Sequence, residues 1–230
     1  MTNKRLILLL FGIITLTLGC DDAFTGPEPR SGEQVQQVQD LRKTALANNV
    51  SRTTADVQWF EAVPGTRPPA GTSTLTRNSN GATATLKTSG IPTGHVATIW
   101  GVIFNKPEEC DSSPCGESDL GNPDVAGSVL GVSGGHVVGG GDYANFGGRI
   151  NEGDVSEALF GLGLMDAKTA EIHLVVRDHG PKIPGMVDDQ IHTLNGGCDP
   201  NKPIFTPGEI PDEPGECNDL QFSIHLPVAD

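Results

Sequence analysis

With 230 residues the chain has room for one sizeable domain or two small ones. Its 30 glycines, 17 prolines and 36% hydrophobic content fit a turn-rich globular domain and fall short of a collagen-like or disordered composition. With 29 acidic against 15 basic residues, the net charge of −14 argues against a nucleic-acid partner and against docking on anionic lipid through a basic face, and no apolar stretch is long enough for a multi-pass membrane protein.

Lys4 and Arg5 precede an apolar run from Leu6 to Leu18, which is too short to span a bilayer and has the length of a signal-peptide core. The run ends at Leu18-Gly19-Cys20, followed by Asp21-Asp22. This resembles the bacterial lipoprotein signal, with Thr17 standing where that pattern usually has Leu. The resemblance implies that Cys20 is lipidated and becomes the new N-terminus, and that acyl chains, palmitate-like in kind, hold the protein to a membrane. The competing reading is an ordinary secretory signal with an incidental cysteine. Residues 1–19 are thus read as the signal, and 20–56 as lipidated Cys20, a Pro-containing tether and a possible short helix over 33–47, where Val35, Val38, Leu41 and Ala45 recur near helical spacing.

From about residue 57 the apolar period changes to two, and 57–230 is read as the folded domain. Ser73 to Thr88 reads as a hairpin turning at Asn78-Ser79-Asn80-Gly81. His95 to Phe104 is apolar on both alternating sets, Ala97, Ile99 and Ile103 against Val96, Trp100, Val102 and Phe104, as in a strand covered on both faces. Further strands are expected at 127–132, 136–138, 144–150, 171–177, 190–194 and 220–226. The last is read with Leu220, Phe222, Ile224 and Leu226 inward and Gln221, Ser223 and His225 outward. Short strands separated by Gly and Pro turns, without βα alternation, predict an all-β fold, a β-sandwich of short antiparallel strands.

Besides Cys20, the chain has Cys110, Cys115, Cys198 and Cys217, an even set that reads as two disulfides in an exported protein. Three pairings exist. Cys110–Cys115 and Cys198–Cys217 are favoured because each brackets a loop-like segment, the second carrying five prolines. A zinc site is the alternative, and the C-x4-C and C-x18-C spacings suit it poorly.

Strand alternation places Glu171, His173, Val175, Arg177 and His179 on one face. The bland interpretation is an exposed face with cross-strand ion pairs. The functional one joins His173, Arg177, His179 and the later His192, with a nearby aspartate, as a metal or ligand site for copper or zinc. His95 and His136 are read as hydrogen-bonded structural histidines. Gly131-Val132-Ser133-Gly134-Gly135 matches the nucleophile-elbow pattern but is followed by glycines rather than a helix, so a serine hydrolase is not expected. Asp199, Glu209, Asp212, Glu213 and Glu216 lack the ligand spacing of a calcium loop and read as a solvated acidic segment.

Several motifs occur in order: Gly94-His95-x-x-Thr98-Ile99-Trp100, Phe104-Asn105-x-Pro107, Gly135-His136-Val137, Glu171-Ile172-His173-Leu174-Val175, Arg177-x-His179-Gly180-Pro181 and Gln190-Ile191-His192-Thr193. Together they resemble an uncharacterised family of secreted or lipid-anchored bacterial proteins, over about residues 72–226. That resemblance implies an envelope location and carries no activity. A weaker similarity, at Ser89-Gly90-Ile91 before His95 and at Ile172-His173, is to the chordin-type (CHRD) domain, a β-sandwich related in fold to copper–zinc superoxide dismutase. The closely spaced histidines of that domain's first segment are absent here. The sequence thus predicts a binding or structural module of the bacterial cell envelope, lipid-anchored outside the cytoplasm, with its ligand and protein partner open. The alternative is a copper- or zinc-handling protein or metalloenzyme.

Overall fold

Threonine, valine and isoleucine crowd the stretches between the turns, and these stretches pair as nine strands. They are β1 (Ser51–Trp59), β2 (Gly71–Asn78), β3 (Gly81–Ser89), β4 (His95–Phe104), β5 (Ala126–Gly131), β6 (His136–Val137), β7 (Tyr143–Asn151), β8 (Glu171–Pro181) and β9 (Asn218–His225). The computed structural model describes residues 50–60, 65–122, 124–131, 134–141, 143–156 and 158–228. Residues 1–19, Cys20, the tether and the helix expected over 33–47 lie outside these, as do Val132 and Ser133. The first strand begins at Ser51, ahead of the boundary expected at 57.

All pairings are antiparallel, in the order β5-β4-β8-β9-β1-β2-β3-β7, with β6 also on β4. β1 joins two layers: Ser51 to Val57 pair with β2, whereas Gln58 and Trp59 pair with β9. The sheet curls there, so that β2, β3 and β7 face β4, β8 and β9. Leu75, Leu86 and Phe146 from one layer and Ile99, Ile172 and Leu174 from the other share one buried cluster. This is the expected all-β sandwich, made by folding over one continuous sheet.

The β2–β3 hairpin lies where expected, with Asn78 opposite Gly81. Gly81 has φ 137°, and a Cβ there would run into the Ile150 carbonyl of β7. β4 is buried along its whole length, as its two apolar faces require.

Two expectations are overturned. The strand expected at 190–194 is instead a short helix, α1 (Val187–His192). Asp188 and Asp189 in its first turn and His192 in its last complement the helix dipole. Gln190, fully buried, holds it down by accepting from Ile183 N at 2.9 Å. Gly135 lets it approach β4, because a Cβ there would sit 2.6 Å from the Ile191 carbonyl oxygen. The second glycine of the apparent nucleophile elbow is thus a packing glycine.

From Gln221 onward the faces of β9 are also inverted, whereas Leu220 is buried in the core as expected. Gln221, Ser223 and His225 are buried at 1% exposure or less, while Phe222 and Ile224 are only partly covered and Leu226 is 49% exposed. The alternation holds from Gln221 to Leu226; before it, where the register with β8 shifts, Asp219, Leu220 and Gln221 are all buried. The interior at this point is polar, because β1, β2 and β3 present Thr53, Ser73, Arg77 and Thr88 to it.

Candidate functional site

The inverted face of β9 helps to create the site. On the outer side of the β4-β8-β9 layer stand Trp100, Val102 and Phe104 of β4, His173 and Val175 of β8, and Phe222 and Ile224 of β9. Two loops wall this surface. One contains the Cys110–Cys115 disulfide and brings Leu120 and Glu117; the other is closed by Cys198–Cys217 and brings Phe205 and Pro207. Both disulfides pair as expected, with Cα atoms 5.4 and 5.5 Å apart. Phe60, just after β1, stacks on Phe222 with ring centroids 4.6 Å apart. The result is a groove with a volume of about 260 Å³.

Five aromatic residues line it: Phe60, Trp100, Phe104, Phe205 and Phe222. The chain has only 8 Phe, 2 Trp and 1 Tyr, and the buried cluster between the layers uses one of them, Phe146. Trp100 and Phe104 are themselves buried in a second apolar cluster under the loops, and with Phe60, Phe205 and Phe222 they give the concavity an aromatic lining of the kind that suits binding.

One buried polar pair stands at the groove. Glu171, 1% exposed, accepts through Oε1 from Cys115 N at 2.8 Å and from His173 Nε2 at 2.6 Å. The first bond ties the disulfide loop to β8. The second orients the imidazole, whose ring lies 5.0 Å from that of Phe104. With Nε2 engaged, Nδ1 is the other hydrogen-bonding position, and no group among the described residues occupies it. At the other end, Asp219 accepts from Arg177 Nη1 at 2.8 Å. Burial pushes the Asp219 carboxyl up, and Arg177 opposes that shift.

The four residues expected to form one site are spread apart. His173 lines the groove. Arg177, 1% exposed, lies behind Asp219 and lines a separate cavity of about 220 Å³ with Asn195 and Lys202. His179 is roughly 20 Å further along the strand from His173, at the usual rise per residue. It is fully buried beside the Cys198–Cys217 sulfurs, with Nδ1 donating to the Gly196 carbonyl at 2.9 Å and Nε2 3.0 Å from Thr98 Oγ1. Its pKa falls to about 4, chiefly through burial. His192 is exposed on α1 and bonds Asp188. Alternation does carry His173, Arg177 and His179 along one side of β8, which keeps its register with β4 as far as Asp178, but spacing along the strand and separate partners keep them from converging.

Two groups do cluster closely enough to hold an ion, His179 with Cys198 and Cys217, and Asp119 with Cys110 and Cys115. In each the sulfurs are bonded to one another and cannot ligate. Of the remaining histidines, His95 bonds Asp178 at 3.0 Å, and His136 packs on Phe146.

Sequence reading did not anticipate two features. The apolar outer face was legible as the second apolar set of β4, but its continuation onto β9 was assigned to the core. The loop residues Phe205 and Leu120 carry no periodic signal at all. No protein family, no curated protein and no solved structure matches the chain, so the motif and CHRD resemblances rest on the quoted residues alone.

Proposed function

We propose that this protein is an exported, lipid-anchored binding module of the bacterial cell envelope that holds a small apolar ligand in the groove between its two disulfide-bridged loops. The observation that carries this reading is the gathering of five aromatic side chains around one concavity on the outer side of the β4-β8-β9 layer, where buried Trp100 and Phe104 form its base. Ligand sites are concave, mostly apolar, and fitted with a few polar groups, and this groove has that composition. The disulfides suit an oxidising compartment. The apolar run to Leu18 and Cys20 supply the address.

The test uses the neutral dye N-phenyl-1-naphthylamine, whose emission rises in apolar surroundings. Saturable binding is expected, with quenching of Trp100. Val175→Arg, which places a charge at the groove's floor without touching the core between the layers, should abolish it. Absence of saturable binding, or binding unaltered in a folded Val175→Arg variant, overturns the reading.

A further inference from the structure

The groove is apolar except for a small set of ionisable groups, and apart from His173 these are acidic. Glu117 stands at its edge, Asp219 at one end and Glu171 behind His173, whereas no lysine or arginine lines it among the described residues. Arg177 is turned to the far side of Asp219 and serves the neighbouring cavity. The chain as a whole carries −14. An anionic ligand would find no cation in the groove and would be repelled by the field around it.

His173 is the group placed to select. Glu171 cannot donate while it accepts from both Cys115 N and His173 Nε2, so it holds the imidazole with its Nε2–H inward. In the neutral ring this leaves Nδ1 as an acceptor, with no hydrogen-bond partner among the described residues, on a ring beside that of Phe104. A buried carboxylate that fixes one imidazole nitrogen so that the other meets a ligand is an orienting arrangement. His179 and His225, by contrast, have both ring nitrogens engaged by protein groups.

We infer that the Glu171–His173 pair is the groove's polar anchor, and that the groove takes an aromatic ligand bearing a neutral or cationic hydrogen-bond donor, a phenol or aromatic amine in class, in preference to an anion. The inference rests on the groove's being the binding site. The aromatic walls supply the affinity for the ring and for any positive charge on it, and His173 Nδ1 accepts from the donor.

Equilibrium dialysis with naphthalene, 1-naphthol and 1-naphthoate separates these contributions. The intact protein should bind 1-naphthol roughly tenfold more tightly than naphthalene, the value of one hydrogen bond, with 1-naphthoate weakest. The double variant Glu171→Gln/His173→Phe, which keeps an acceptor for Cys115 N–H and leaves no carboxylate orphaned, should bind 1-naphthol and naphthalene alike. In the parent, the nitrogen-15 resonance of His173 Nδ1 should move on adding 1-naphthol and stay put with naphthalene, a readout that does not depend on the variant folding. Equal binding of naphthalene and 1-naphthol, tightest binding of 1-naphthoate, an unmoved Nδ1 resonance, or discrimination persisting in a folded double variant overturns the anchor and leaves the groove standing. Failure of all three compounds to bind overturns both.

Discussion

A buried histidine at the centre of a polar set shows what this interior requires of single residues. His225 lies with Nδ1 2.9 Å from Thr53 Oγ1 and Nε2 2.9 Å from Ser73 Oγ, and Ser73 in turn lies 2.8 Å from Ser223 Oγ. Arg77, fully buried and without a carboxylate partner among the described residues, donates to Thr53 Oγ1 at 3.1 Å and to the His225 carbonyl at 2.9 Å. Since Thr53 accepts from Arg77, its own hydrogen can go to Nδ1, which leaves the proton of a neutral His225 on Nε2 for Ser73. Burial and then the Arg77 charge lower the His225 pKa to about 4. The unfolded chain takes up that proton near pH 6.5. Stability is therefore fully present above about 6.5 and is lost as pH falls towards 4, at up to ~1.4 kcal/mol per pH unit for each such histidine. His179, lowered to about 4 as well, acts in the same sense. Asp178 and Asp219, raised by burial, oppose it. A comparison isolates the His225 contribution: urea unfolding of His225→Gln should lose about 2 kcal/mol less than the parent between pH 7 and pH 5. An equal loss in both would show that His225 is not held neutral by the fold.

At the level of strands and loops, alternation was legible in β4, β8 and β9, whereas the side that faces inward was legible only where one side was far more apolar. β4 has two apolar sides, and both are covered, one by the core and one by the groove's walls. β9 has an apolar and a polar side, yet its polar side faces in, since β1, β2 and β3 offer it matching hydrogen bonds. No single-strand pattern contains its partners' chemistry, and that is why the face was misread. The helix α1 was missed for a related reason: six residues give too few turns to show a period, and its place is set by Gly135 and Gln190 through tertiary contact. The loops were legible only through their cysteines. Cys198–Cys217 closes the segment that carries Phe205 and Pro207, so it holds one wall of the groove. Replacing both cysteines by serine should cost roughly 3 kcal/mol in the chain-entropy account. Dye binding should fall with it while the β-sheet circular dichroism persists, because the fully buried residues between the layers all lie outside that loop. Denaturant unfolding and dye titration of the double variant check both halves, and unchanged binding would show that the loop is not a wall of the site.

Over the whole molecule, the main core and the proposed binding groove lie on opposite faces of one layer. The inner face of β4 and β8 packs against β2, β3 and β7, and the outer face is left for the groove. The disulfide-bridged loops cover that outer face, where Cys115, Leu120 and Phe205 join the second apolar cluster, and Ile210 of the longer loop also packs on the core between the layers. No described residue before Phe60 lines the groove, so the proposed tether would leave the groove's lining intact. The proposed anchoring is assigned to the segment before the strands. No helix among the described residues is long and apolar enough to cross a membrane, and a chain of net charge −14 has little electrostatic attraction for anionic lipid. Acyl chains on Cys20 would supply the attachment, since two or more chains hold a protein stably to a bilayer where one does not. Cys20→Ser removes the acceptor sulfur and leaves the folded domain's own residues unchanged. The variant should accumulate as unprocessed precursor or appear in the soluble fraction, with dye affinity within about twofold of the parent, a difference of less than 0.5 kcal/mol. Fractionation with mass measurement reads processing and location together. A Cys20→Ser protein that is still cleaved at the parent position and still sediments with membranes would show that the attachment does not run through Cys20.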